Sequence, residues 1–188
     1  ANRDGNVIVD QGACEVQPSA PLVVAAPAKN KAPTVRVFQG GQLLYSFNAY
    51  PTKFKGGVRV AMADVTGDGL NDIITAPGPG IATQVKVFDG ETRALVISFM
   101  PYGPGFKNGA FVAAAYFGSL EARIIVGPAS GAKPVMVFDQ DATPTLQFFP
   151  YGAAYAGGVR VAGGDVTGNA DTEIVTLRNT GMPQVRLF

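Results

Sequence analysis

The segment Val85-Lys86-Val87-Phe88 decides the reading, because it returns as Val35-Arg36-Val37-Phe38, Val135-Met136-Val137-Phe138 and Val185-Arg186-Leu187-Phe188. Its closing phenylalanine recurs every 50 residues. Two further markers keep the same phase. Gly56-Gly57-Val58-Arg59-Val60-Ala61 returns as Gly157-Gly158-Val159-Arg160-Val161-Ala162, with a looser copy at Asn108-Gly109-Ala110-Phe111-Val112-Ala113. An aromatic trio, Phe47, Tyr50 and Phe54, corresponds to Phe99, Tyr102 and Phe106 and then to Phe148, Tyr151 and Tyr155. A whole unit is therefore repeated, which is the signature of an array of small stacked modules.

Within a unit, short apolar stretches are bounded by Gly, Pro, Asn and Asp, the pattern of strands joined by tight turns. In the second unit strands are expected at about 58–65, 72–76, 84–88 and 94–100. Four strands in one unit make an antiparallel sheet that is apolar on both faces, so neighbouring copies must stack. Radial stacking into a β-propeller is the usual solution for a repeat of this size. The fold class is thus all-β, a propeller of four-stranded antiparallel blades at about 7–48, 57–100, 109–149 and 158–188, forming a single region over 1–188. The aromatic trios are expected to fill the space between blades.

The first blade has its later strands at Leu22 to Ala26, Thr34 to Phe38 and Leu43 to Phe47, with Val7-Ile8-Val9 as its first. The last blade stops at Phe188, before its outermost strand. An unpaired edge invites strand addition, so residues 1–6, a second copy of the chain or further sequence is expected to complete it.

Composition agrees with this class. The 47% hydrophobic content is enough to build a core, and Gly and Pro are frequent while charged residues make only 15%, which suits turns and strands better than amphipathic helices. The formal net charge is +1 and the basic residues are scattered singly, so nucleic acid is excluded as a partner. No apolar run reaches a membrane span, and no charged-then-apolar leader opens the chain, so in an exported protein the signal has been removed. Histidine is absent and Cys14 is the single cysteine. Ser-His-Asp and Cys-His nucleophile systems are therefore excluded, and Cys14 reads as an inert, half-buried thiol.

The chemistry lies between the first two strands of the second unit, at Asp64-Val65-Thr66-Gly67-Asp68-Gly69-Leu70-Asn71-Asp72. Side-chain oxygens fall at alternate positions, with a glycine sixth for the sharp turn. A hard cation needs six to eight oxygens at short range. The expected calcium ligands are the carboxylates of Asp64, Asp68 and Asp72, Thr66 through its hydroxyl or carbonyl, and the backbone carbonyl of Leu70. Without an ion, carboxylates this close repel one another. Magnesium, which prefers a rigid octahedron, suits the loop less well.

The run GGVRVAMADVTGDGLNDIITAPGPG followed by QVKVFDG resembles the FG-GAP repeat of integrin α-subunit propellers and of many bacterial surface and secreted proteins. The resemblance covers about residues 7–188, and the D-x-T-x-D-G-x-x-D loop is its most specific part. It implies calcium in loops on one rim of a propeller, a location that is extracellular, at the cell surface or periplasmic, and a role in adhesion or ligand recognition.

The other copies depart from the loop pattern. In the fourth unit Asp165, Thr167, Asn169, Asp171 and Glu173 supply oxygens, but Ala170 replaces the turn glycine, so a weaker second site is expected there. In the third unit, alignment on Ile124 puts Ala115, Phe117, Ser119 and Arg123 at the ligand positions. No calcium is expected in that loop, and Arg123 is expected to anchor it by hydrogen bonds to carbonyls. In the first unit the region Cys14 to Pro21 has lost the pattern, with Glu15 its one acid.

The function expected from these readings is a calcium-stabilised, non-catalytic interaction module. Its partner is a protein or glycan, or another copy of the chain that completes the last blade. One alternative is a calcium-dependent lectin, against which the absence of tryptophan counts. Another is a hydrolase or lyase using Asp139 with Asp141 or Asp89 with Glu91, acids that fall where turns are expected. Redox chemistry has no ligands to hold a cofactor.

Overall fold

The structure, a computed structural model, describes residues 20–188. The expected strand Val7-Ile8-Val9, together with Cys14 and Glu15, lies outside the described residues. The elements are β1 (Leu22–Ala25), β2 (Thr34–Gln39), β3 (Gln42–Asn48), β4 (Val58–Ala63), β5 (Asp72–Pro77), β6 (Val85–Phe88), β7 (Leu95–Phe99), β8 (Ala110–Ala115), β9 (Arg123–Pro128), β10 (Val135–Phe138), β11 (Pro144–Phe148), β12 (Val159–Gly164), β13 (Glu173–Arg178) and β14 (Val185–Leu187). No helix occurs among the described residues. The protein is all-β.

The strands form four antiparallel sheets in chain order, β1-β2-β3, β4-β5-β6-β7, β8-β9-β10-β11 and β12-β13-β14. The two central sheets are four-stranded, and the last ends with β14 at its edge. Their second strands are the most deeply placed: all of β5 is buried, as are Ile124, Ile125 and Val126 of β9. Apolar side chains on both faces of a strand demand cover on both faces, and adjacent sheets supply it. β4 packs on β8, and β8 on β12. The largest cluster joins Ile74, Val85 and Val87 of the second sheet to Val112, Ile124 and Val126 of the third.

The repeat extends to irregularities. A register shift falls between Val37 and Phe38, between Val87 and Phe88 and between Val137 and Phe138, so the periodic phenylalanine marks a β-bulge in the first three units. It also receives an aromatic from the preceding sheet. Ring centroids are 4.7 Å apart for Phe47 and Phe88, 4.5 Å for Phe99 and Phe138 and 4.6 Å for Phe148 and Phe188.

The trio tyrosines tie each sheet to the next. Tyr50 donates to the Gln84 carbonyl at 2.8 Å and sits 3.2 Å from the Thr75 hydroxyl. Tyr102 reaches the carbonyls of Pro134 and Val126 at 3.0 and 3.3 Å. Tyr151 donates to Gln184 O at 2.7 Å and lies 3.1 Å from the Thr176 hydroxyl. The space-filling role expected of these aromatics is what the structure gives them, with a directional bond added.

Candidate functional site

β4 and β5 form a hairpin whose last pair is Ala63 with Asp72, and the loop beyond that pair is 64–71. Asp72 is 1% exposed, a depth at which a carboxylate must be compensated. Its Oδ2 accepts from the backbone N–H groups of Val65 and Thr66, both at 2.9 Å, and from the Thr66 hydroxyl at 3.1 Å. Its Oδ1 is buried without a hydrogen-bond partner among the described residues. Burial pushes the Asp72 carboxyl above the ordinary aspartate range, the bonds from Thr66 and Val65 pull it back, and the charge of Asp68 pushes it up again.

The other acids organise the turn. Asp64 Oδ1 accepts from Gly67 N at 2.6 Å and Oδ2 from Gly69 N at 2.8 Å, while Asp68 Oδ1 accepts from Leu70 N at 2.8 Å. Gly67 and Gly69 have φ of 79° and 85°, the left-handed region that a Cβ disfavours. Among the described residues no three acidic or cysteine side chains are gathered closely enough to share an ion.

The loop after β12 repeats this construction. Asp165 Oδ1 accepts from Gly168 N at 2.6 Å and Oδ2 from Ala170 N at 3.0 Å. Those bonds hold its carboxyl below the ordinary range. Glu173, one methylene longer than Asp72, receives Val166 N at 2.9 Å and the Thr167 hydroxyl at 2.8 Å. Asn169 Oδ1 accepts from Asp171 N at 2.9 Å. Ala170 takes a φ of 70° in place of Gly69, so the loop keeps its shape against the local preference of alanine.

The third unit corrects the sequence alignment. Ala115 is the last residue of β8 and pairs with Arg123, as Ala63 pairs with Asp72. Ala115 is thus a strand residue, and this loop is one residue shorter. Arg123 does occupy the place of Asp72, but its guanidinium carbon lies over the Phe117 ring, 5.9 Å from the centroid. A cation–π contact stands where hydrogen bonds to carbonyls are expected.

The shorter loop leans on its neighbours, which the sequence does not reveal. Asp64 N donates to the Tyr116 hydroxyl at 3.2 Å and Ala122 N donates to Asp64 O at 2.7 Å. The Tyr116 carbonyl in turn accepts from the Thr172 hydroxyl at 2.5 Å. Glu121 is close enough to Gly67 that a Cβ there would stand 2.9 Å from Glu121 Cγ. An acid from the next sheet therefore borders the 64–72 loop.

Of the four acids weighed as catalysts, Asp89 and Asp139 anchor turns, and Glu91 and Asp141 donate backbone N–H groups to them. Asp89 Oδ1 accepts from Thr92 N at 2.6 Å and its hydroxyl at 2.7 Å, and Asp139 Oδ1 accepts from Thr143 N at 2.8 Å and Asp141 N at 3.1 Å. No protein-family model matches the chain, and no curated protein matches it. No helix among the described residues is long and apolar enough to cross a membrane.

Proposed function

We propose that the chain is a calcium-stabilised β-propeller interaction module of the FG-GAP kind, non-catalytic and working outside the cytoplasm. The observation that carries the reading is the orphaned Asp72 Oδ1, buried beside an oxygen-rich loop. A buried carboxylate oxygen without a donor is costly, and a cation removes that cost where no N–H reaches. Asp64, Thr66, Asp68, the Leu70 carbonyl and Asp72 offer an all-oxygen set of the type calcium prefers; their carboxylates stand apart in the structure and would have to close on the ion. They would hold the ion, which would act structurally by neutralising the loop. The 165–173 loop, with the same turn and an amide in place of one acid, is the weaker second site. The propeller reading is supported by the packing of β4, β8 and β12 side by side.

In this reading the strand that pairs with β14, beside which Val185, Leu187 and Phe188 are exposed, comes from further sequence, from residues 1–6, from a second copy of the chain or from another protein. Calorimetric titration of the chelator-treated full chain with calcium tests the ion, and native mass with and without chelator tests the assembly. Saturable binding abolished by Asp68→Ala and Asp72→Ala supports the proposal. A chain that takes up no calcium while remaining folded refutes it.

A further inference from the structure

The second residue of the first strand is Arg59 in β4, Phe111 in β8 and Arg160 in β12, and the packing of these strands brings the three together. The guanidinium carbon of Arg59 is 5.1 Å from the Phe111 ring centroid and that of Arg160 is 4.8 Å from it. They line one cleft of about 500 Å³, whose walls include Pro27, Pro79 and Lys29. This volume falls in the range of small-molecule sites.

Among the described residues no acidic side chain lines the cleft. Arg59 Nη1 is buried with no hydrogen-bond partner among the described residues. It is housed against Gly78, where a Cβ would collide with Nη1 and with the Gly56 carbonyl. Arg160 spends one donor on Asn179 Oδ1 at 3.1 Å, leaving most of its fork free. Burial and the facing charge of Arg160 both work against the charge on Arg59. The fold does not require a cation at this position, since Phe111 fills it in the third unit. Two like charges are instead directed at one aromatic ring with no counter-ion among the described residues, and an anion is what would relieve them.

We propose that the cleft where Arg59 and Arg160 flank Phe111 binds the carboxylate of a small organic acid, whose apolar body lies against Phe111 and Pro79. The apolar walls select this class over inorganic oxyanions, which gain nothing from them. The site is separate from the acidic loops and stands independently of the calcium reading.

The test is an NMR-monitored titration of the full chain with benzoate, benzamide and sulfate. Saturable benzoate binding with shifts at Phe111 is expected, with benzamide and sulfate weaker by about tenfold or more. Arg160→Gln alters an exposed residue and should fold normally, and Arg59→Lys keeps the charge while removing the fork. Each is expected to weaken benzoate by about tenfold. Absence of benzoate binding overturns the proposal. So does equal binding of sulfate, or wild-type affinity in both folded variants.

Discussion

Replacing Tyr50 by Phe removes one oxygen from an interface between sheets and leaves the ring in place. Tyr50 is 4% exposed, and burial holds its hydroxyl protonated well above the ordinary tyrosine range, against the contrary pull of Thr75. It is therefore a permanent donor. Without it, Gln84 O loses its 2.8 Å partner at a part-buried position between two sheets. Thr75 keeps its longer bond to the Lys86 carbonyl at 3.4 Å. One stranded carbonyl sets the loss at about 1–2 kcal/mol. For a chain of this size that lowers the melting midpoint by roughly 2–4 °C per kcal/mol. Tyr155 is the control, because its hydroxyl donates to Thr180 O at 2.7 Å in an exposed setting, where water can replace it. Tyr155→Phe should stay within about 0.5 kcal/mol. Urea unfolding of both variants in calcium-containing buffer measures the difference. Equal losses for the two, or no loss for Tyr50→Phe, would show that the buried bond does not hold the sheets together.

Three further outcomes are expected. Asp72→Asn should change stability by less than about 1 kcal/mol in chelator, because an amide oxygen still accepts the N–H groups of Val65 and Thr66. In calcium at a hundred times Kd, wild type should gain about 2.7 kcal/mol that the variant lacks; identical wild-type melting in calcium and chelator would contradict this. Ala170→Gly relieves a φ of 70° and should raise the unfolding free energy measured in denaturant by up to about 1 kcal/mol, and a fall would show that the methyl group packs usefully. Asp89 is held below the ordinary range by its bonds from Thr92. Its contribution is present above the unfolded aspartate value and disappears as pH falls through the lower folded value. Titration of the Asp89 carboxyl by carbon-detected NMR checks the direction, and Thr92→Ala should bring it back up.

Much of this architecture is legible in the repeat. Strands expected at 58–65, 72–76, 84–88 and 94–100 appear as Val58–Ala63, Asp72–Pro77, Val85–Phe88 and Leu95–Phe99, because each apolar run is closed by a turn residue. The trios were readable as packing residues because they stay in phase with the strands. Their hydrogen bonds were not, since Gln84 O and Pro134 O are backbone acceptors that no side-chain pattern encodes. The third loop was misaligned for a related reason. Ile124 fixes the register on the β9 side, but the missing residue sits before it, and only the pairing of Ala115 with Arg123 locates it. Glu121 and Tyr116 went unnoticed because their relation to Asp64 crosses between sheets. Arg59 and Arg160 are legible as a repeated motif, but the intervening Phe111, which makes their juxtaposition chemically distinctive, stands in its looser copy, and the sequence does not show that the three side chains meet.

The same strand order places opposite charges at opposite ends of the first strands of the sheets. Arg59 is the second residue of β4, and Asp64 follows its last residue, so five residues separate them along the chain. At about 3.3 Å per residue that is roughly 17 Å, beyond the Debye length of about 8 Å at physiological ionic strength. Asp72, paired with Ala63, and Glu121, beside Gly67, share the acidic end with Asp64, and Lys29 and Arg160 share the basic end with Arg59. A net charge of +1 therefore averages over two separated fields. Neutralising one end with a cation changes the potential at the other by little, so the acid-binding cleft should keep its affinity in chelator as long as the sheets stay packed. Coupling between the two would have to travel through β4 itself, as a shift of Arg59 when the loop after Ala63 rearranges. The backbone bonds from Ala122 N to Asp64 O and from Asp64 N to Tyr116 oppose that shift, because they tie the loop to the neighbouring sheet rather than leaving it free to pull on its own strand.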